Sequence, residues 1–239
     1  MIACSFSQSI PIRIIRSGNN ISDSMKIDFH VHTHHSPDSI IKPKELLEKA
    51  KKLSIIPAIT NHNTLAAHSE FKKLQKKLNF DFIPGEEIRT REGDLIALYI
   101  QEVIPKFTPF LEAVDKIKEQ GGISIVPHMY DTTRHVVNDP KLASKADGIE
   151  VFNARCPLRS QNERALVFAK KYKKLHSAGS DSHFLFEFGH TYLEVPDFDM
   201  DNPKDLLHAL KKSKIHGKKS PFFVRGTTRI VKFLKGISR

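Results

Sequence analysis

From Met25 onward, short apolar runs take turns with amphipathic segments. IDF precedes PKELLEKAKKL, and IIPAI precedes TLAAHSEFKKLQKKL. DFIPG and DLIALYI precede TPFLEAVDKIKEQGG; ISIVP and DGIEVF precede SQNERALVFAKKYKKL; HSAGS and TYLEV precede NPKDLLHALKKS. The short runs read as strands and the longer segments, with apolar residues at helical spacing, as helices. Pro43 and Pro109 suit a first helical turn, and Gly121-Gly122 suits a C-terminal stop. Repeated strand–helix alternation with right-handed crossovers yields an α/β protein with a parallel sheet, either doubly wound or closed into a barrel. The alternation alone does not choose between them.

At 239 residues the chain suits one domain with a substantial core, expected over residues 25–210. Residues 1–24 are poor in periodic pattern and rich in Ser, Asn and Ile, and read as an N-terminal extension; Met25 is a candidate natural start. No apolar run has signal-peptide length or the roughly 20 residues of a membrane span, so the expectation is a soluble, cytoplasmic protein with no membrane partner. Cys4 and Cys156 lie too far apart in sequence to suggest a disulfide framework. The net charge of +11 is unevenly distributed. Residues 211–239 hold ten basic and no acidic side chains, whereas residues 25–210 carry 26 of each and are formally neutral. The basic character belongs to a C-terminal tail, expected to be partly helical and a candidate contact for nucleic acid. Nothing in the sequence constrains the oligomeric state.

The densest chemistry lies in the stretch IDFHVHTHHSPDS, with four histidines and two aspartates. His30 and His32 alternate with Phe29 and Val31, so a strand would present both imidazoles on one face and both hydrophobes on the other. Other polar residues fall at or just beyond strand ends: Asn61-His62 after IIPAI, Glu87 after FIPG, His128 after ISIVP, Asn153 after GIEVF, and Asp181 with His183 after HSAGS. In α/β folds that edge is where loops converge into sites. Imidazole and carboxylate without thiolate suit zinc, manganese or iron, and more than four such ligands imply more than one metal. Neighbouring metals can activate water and neutralise a phosphate, which points to phosphoester hydrolysis. His35, His68, His176, His208 and His216 sit in helical or polar surroundings and read as solvated or core histidines, and His34 as a bystander.

Taken together, the ordered segments DFHVHT, AITNHNT, IPGEEI, VPH, IEVFN and GSDSH resemble those of the PHP family, named for polymerase and histidinol phosphatase, across roughly residues 25–196. The resemblance implies a distorted (β/α)7 barrel with a metal cluster at its C-terminal mouth and hydrolysis of phosphate esters. Carried over by position, His30, His32, Glu87 and Asp181 resemble the ligands of one metal, with Glu87 bridging to a second that His128 completes. Asp94 stands where many relatives place a histidine for that second metal, and favours harder ions such as manganese. Asp38, His62 and His183 resemble the ligands of a third, Asp38 through a one-residue insertion. Asn61 and Asn63 stand where relatives keep aspartates; if they orient His62 through its second nitrogen, the neutral amides weaken it as a ligand.

The expected activity is therefore hydrolysis of a phosphomonoester or nucleotide by water activated by two or three divalent ions, with no side-chain nucleophile. Arg134 and Arg155 are candidate phosphate clamps, because a guanidinium matches phosphate geometry bidentately. A second reading treats the chain as a nucleic-acid-binding or ribonuclease P-like assembly subunit that uses the basic tail. Noncatalytic relatives of that kind tend to lose the metal ligands, and nearly all are present here.

Overall fold

The computed structural model describes residues 24–237; the N-terminal extension apart from Ser24 lies outside them. In chain order the elements are strand β1 (Ser24–Val31), helix α1 (Pro43–Leu53), β2 (Ile55–His62), α2 (His68–Leu78), β3 (Ile83–Arg89), β4 (Asp94–Leu98), α3 (Phe110–Glu119), β5 (Ile123–Val126), the short α4 (Pro140–Ala143), β6 (Gly148–Asn153), α5 (Arg159–Lys171), β7 (Leu175–Gly179), β8 (Thr191–Pro196), α6 (Pro203–Leu210), β9 (Lys214–Gly217) and α7 (Val224–Ile237). Pro43 opens α1 as expected, whereas Pro109 lies one residue ahead of α3 as its cap. Gly121, at φ +73°, turns the chain out of α3, its N–H donating to the Lys118 carbonyl.

All nine strands form one sheet in the order β7-β6-β5-β4-β3-β2-β1-β8-β9. The pairs β1–β2, β2–β3, β5–β6 and β6–β7 are parallel, but β4 runs antiparallel to both β3 and β5. A uniform parallel sheet fails there because only residues 90–93 separate β3 from β4, far fewer than the dozen or so a parallel crossover needs. The first seven strands nearly close on themselves. Beyond the end of β7, Asp181 N–H donates to the His30 carbonyl (2.7 Å) and His32 N–H donates to the Ser182 carbonyl (3.0 Å). The result is a distorted barrel in a single domain, with β8 and β9 added antiparallel on the outer side of β1.

The residues expected as a tail are built into this architecture, since β9 pairs with β8 from Lys214 to Gly217 and α7 follows. Among the described residues no helix is long and apolar enough to cross a membrane.

The β1–β2 register shifts between Asp28 and Val31: Ile27 faces Ile56, but Val31 faces Ile59. Strict alternation would keep Ile27 and Val31 on one face, yet Ile56 and Ile59 lie on opposite faces. The bulge therefore returns His30 and His32 to the face that Ile27 occupies. Phe29 and Val31 consequently do not share a face, correcting the simple alternation. Phe29 packs with Ile27, Ile56, Ala58 and Ile83, and Val31 with Ile41, Leu46 and Phe71 under α1 and α2.

Closure leaves no room beside β1 at Gly179, where an added Cβ would lie 2.3 Å from the His30 Cβ and 2.9 Å from Glu150 Oε1. Gly179→Ala should cost about 1–3 kcal/mol of stability through overpacking. For a chain of this size that lowers Tm by roughly 2–12 °C, read by thermal denaturation; an unchanged Tm would mean β1 and β7 are not in tight contact.

Candidate metal centre

The closed barrel brings His30, His32, Glu87, His128, Asp181 and His183 together, each no more than 3% exposed. His30 Nε2 and His32 Nε2 are 3.0 Å apart, and Glu87 Oε2 lies 3.4 Å from both. Asp181 Oδ1 lies 3.6 and 3.5 Å from the same two nitrogens. Two bonds of zinc length at a tetrahedral angle span about 3.3 Å, so each carboxylate oxygen stands at a spacing from the two imidazole nitrogens that a shared ion would set, and His30, His32 and Asp181 form one candidate ligand group. Both carboxylate oxygens are buried and neither meets a donor in good hydrogen-bond geometry, the Glu87 one having His62 Nδ1 at 2.9 Å; such acceptors are ones a cation would satisfy.

The other oxygen of Glu87, Oε1, meets His128 Nε2 at 3.0 Å, and Glu87, Asp94 and His128 form a second ligand group. Asp94 also faces Arg89 Nε at 3.5 Å and His135 Nδ1 at 3.4 Å. His32, His62 and His183 form a third group, with Asp38 Oδ2 lying 3.5 Å from His62 Nε2 and 3.3 Å from His183 Nε2. The structure thus brings the candidate ligands into three neighbouring groups, with His32 shared by two of them, Glu87 grouped with Asp94 and His128, and Asp38 beside His62 and His183; the donors fit divalent ions.

Hydrogen bonds fix which nitrogen each imidazole offers. His183 Nδ1 donates to the Asp181 carbonyl (2.8 Å), and His30 Nδ1 to Glu150 Oε1 (3.0 Å). Ser36 Oγ donates to Asn61 Oδ1 (3.0 Å), leaving its lone pair to accept from His32 Nδ1 (3.1 Å). In all three rings the Nδ1 proton is engaged outward, so the Nε2 lone pair faces the cluster.

The charges agree with cation binding. Burial drives the Glu87 and Asp181 carboxyls up, but His62 and His30 around the first, and Arg134 and His30 around the second, hold both well below the usual carboxylate range. Burial, with His183 and His62 beside it, keeps His32 neutral. For His30 and His62 burial works downward, yet the surrounding carboxylates raise both well above an ordinary histidine. The site therefore favours added positive charge, a preference that metal ions meet as protons do.

The asparagines serve other residues than expected. Asn61 Oδ1 accepts from Thr33 N–H (2.7 Å), Thr33 Oγ1 and Ser36 Oγ, and so orients His32 through Ser36 rather than His62. Asn63 caps the Arg89 N–H (2.8 Å) from a left-handed backbone, a conformation asparagine tolerates. The ring of His62 instead faces carboxylates on both sides, Glu87 Oε2 at 2.9 Å and Asp38 Oδ2. Asp28 accepts from the backbone of Ser180 (2.9 Å) and His30 (3.3 Å), pinning the closure.

Arg134 contacts Asp181 Oδ2 and lies 3.2 Å from Asp131 Oδ2, at the edge of the cluster. Arg155, expected as a phosphate clamp, is buried with its guanidinium forked onto Glu187 (2.9 and 2.6 Å). Glu187 also accepts from His183 N–H, so Arg155 braces the His183 turn.

Glu150 is the residue the sequence reading left without a role. Its Oε1 holds His30, and its Oε2 accepts from His128 N–H (2.8 Å) and Asn153 Nδ2 (2.9 Å). Only its place in IEVFN, two residues from a strand end, hinted at this.

A family described as PHP-associated matches residues 159–215. The Methanocaldococcus jannaschii protein MJ0417 is 38% identical over 190 residues, covering 76% of this chain and 75% of that one. A 5'-3' exoribonuclease of Haemophilus influenzae is 28% identical over 119 residues, 44% of this chain and 43% of its own. Among solved structures, a two-domain Bacteroides vulgatus protein containing a predicted PHP-like metal-dependent phosphoesterase superposes with a TM-score of 0.67 at 17% identity, covering 82% of this chain and 65% of that one. The chain belongs to the PHP family, and its fold is the one those phosphoesterase-type domains share.

Glu150→Gln cannot accept at both oxygens, so it should weaken metal retention roughly 10–100-fold. Metal content measured against a competing chelator checks this; retention equal to wild type would remove Glu150 from the support of His30.

Proposed function

We propose that this protein is a metal-dependent hydrolase of phosphate esters acting on a phosphomonoester or a nucleotide. The observation that carries this reading is the pair of buried imidazole nitrogens, His30 Nε2 and His32 Nε2, each within 3.6 Å of a Glu87 and an Asp181 carboxylate oxygen, beside a pocket of about 430 Å³. His30, His32, Glu87 and Asp181 would hold one ion, Glu87, Asp94 and His128 a second, and Asp38, His62 and His183 a third. When bound, such ions activate water at neutral pH and neutralise phosphate oxygens.

The protein's own groups do the rest. Glu150, Ser36 and the Asp181 carbonyl keep three imidazoles in the ligand tautomer, and the Arg155–Glu187 pair fixes the backbone of His183. Arg134, on the pocket wall, is the cation beside Asp181 and the one placed to meet a phosphate oxygen at the cluster. The named activities of the relatives, an exoribonuclease and a PHP-like phosphoesterase, support phosphoester chemistry. A noncatalytic assembly subunit would have no use for this donor set.

Purified protein should contain two or three divalent ions per chain by elemental analysis, and should hydrolyse phosphate esters with added zinc, manganese or iron. Glu87→Gln, which touches two of the ligand groups, should lower metal content by more than one ion and activity at least 100-fold. Absence of both metal and turnover under all three metals would sink the reading.

A further inference from the structure

Helix α7 is fixed across the mouth of the pocket at both ends. Towards its start, Arg225 lies 3.0 Å from Asp131 Oδ2 and donates to Thr133 Oγ1. Towards its end, the Lys235 ammonium donates to the carbonyls of His34 (2.8 Å), Ser36 (2.9 Å) and Ser39 (2.6 Å), in the loop that carries Asp38. Its own Val224 and Thr228 are buried. Residues 225, 229 and 232 follow helical spacing, and all three line the pocket.

Most cations of the pocket wall have carboxylate partners: Arg89 has Asp94, Arg134 has Asp181 and Asp131, Arg155 has Glu187, and Arg225 has Asp131. Arg229, Lys232 and Lys106 also line the pocket, and among the described residues none of them has a carboxylate within ion-pair distance. Beside Lys106 stands Phe107, which lines the same pocket, is 54% exposed, and is held at φ +65°. A bulky residue at positive φ is an outlier; here it sets a half-exposed ring at the rim, with the Lys106 ammonium 5.6 Å from its centroid. Uncompensated cations next to an exposed aromatic ring are the pairing that grips phosphate and stacks a base.

Building on the phosphoesterase reading, we propose that Arg229 and Lys232 bind a second phosphate of the substrate. The preferred substrate is then a nucleotide unit with one phosphate at the metal cluster, another at α7, and its base against Phe107. That chemistry is met by a free nucleoside bisphosphate or by the phosphorylated end of an oligonucleotide.

The test compares the full chain with the Arg229→Ala/Lys232→Ala double variant on AMP, adenosine 3',5'-bisphosphate and 5'-phosphorylated oligoadenylate. The variant should raise KM at least tenfold for one or both two-phosphate substrates and no more than about twofold for AMP. Whichever two-phosphate substrate shows the larger shift identifies the source. Equal shifts for AMP and the others, or none, would overturn the proposal. If wild type turns over none of them with zinc, manganese or iron, there is no KM to compare, and the phosphoesterase reading is judged by the metal content and wider ester hydrolysis described above. Calorimetric binding of adenosine 3',5'-bisphosphate to manganese-treated protein then decides the inference by itself. Tenfold weaker binding by the variant supports it, and equal binding, or none by wild type, overturns it.

Discussion

The candidate site depends on two backbone hydrogen bonds. Asp181 N–H to the His30 carbonyl and His32 N–H to the Ser182 carbonyl join the first strand to the turn after the seventh, across about 150 residues of chain. Without that closure the Glu87 side of the cluster would have no opposite wall. The joint is demanding: Asp181 sits at φ +53°, a left-handed conformation that costs a non-glycine residue about 1 kcal/mol. Gly179 must lack a side chain, and the buried Asp28 carboxyl must reach the Ser180 and His30 N–H groups. Strain and buried charge at one seam are expected where geometry serves a ligand rather than folding.

Folding alone gives no reason to assemble this cluster. Removing one partner of such buried charges would leave the other to cost at least about 1–3 kcal/mol, and an apolar layer would pack there more cheaply. The barrel has such a layer immediately below, where Ile27, Phe29, Ile56, Ala58 and Ile83 meet. The change from apolar to ionisable along one face occurs at the β1 bulge, which turns His30 and His32 onto the face of Ile27. One extra residue in the strand thus lets a hydrophobic floor and a ligand wall share the same face.

The candidate ligands are legible because strand ends are visible in sequence and imidazoles and carboxylates are rare there without purpose. The order of DFHVHT, IPGEEI and GSDSH carries the family resemblance, and the structure brings the residues of those segments together. What stayed hidden depended on register and rotamer. The bulge leaves no mark in DFHVH, whose alternation puts Phe29 and Val31 on one face. Asn61 was paired with its neighbour His62, although its amide reaches Thr33 and Ser36 on the adjacent strand end. Arg155 and Glu187 are 32 residues apart, and no local pattern foretells that they meet. Antiparallel β4 was readable in hindsight from the two consecutive strand-like runs with no helix between them.

The charge distribution divides the molecule by task. Residues 25–210 are formally neutral, so the body adds little long-range attraction for an anion, and its buried carboxylates face inward toward the proposed metals. The excess positive charge lies in the segment that contains β9 and α7, and α7 falls outside residues 159–215 that match the PHP-associated family. Phosphate chemistry and substrate choice can then reside on different elements: one on strand ends held by the closed barrel, the other on a helix anchored over them. Arg225 and Lys235 fasten that helix to the β5–α4 and β1–α1 loops, the second of which carries Asp38. A change in how α7 docks would therefore reach both the selectivity of the pocket mouth and the third ligand group, because the same ammonium holds the helix and the loop.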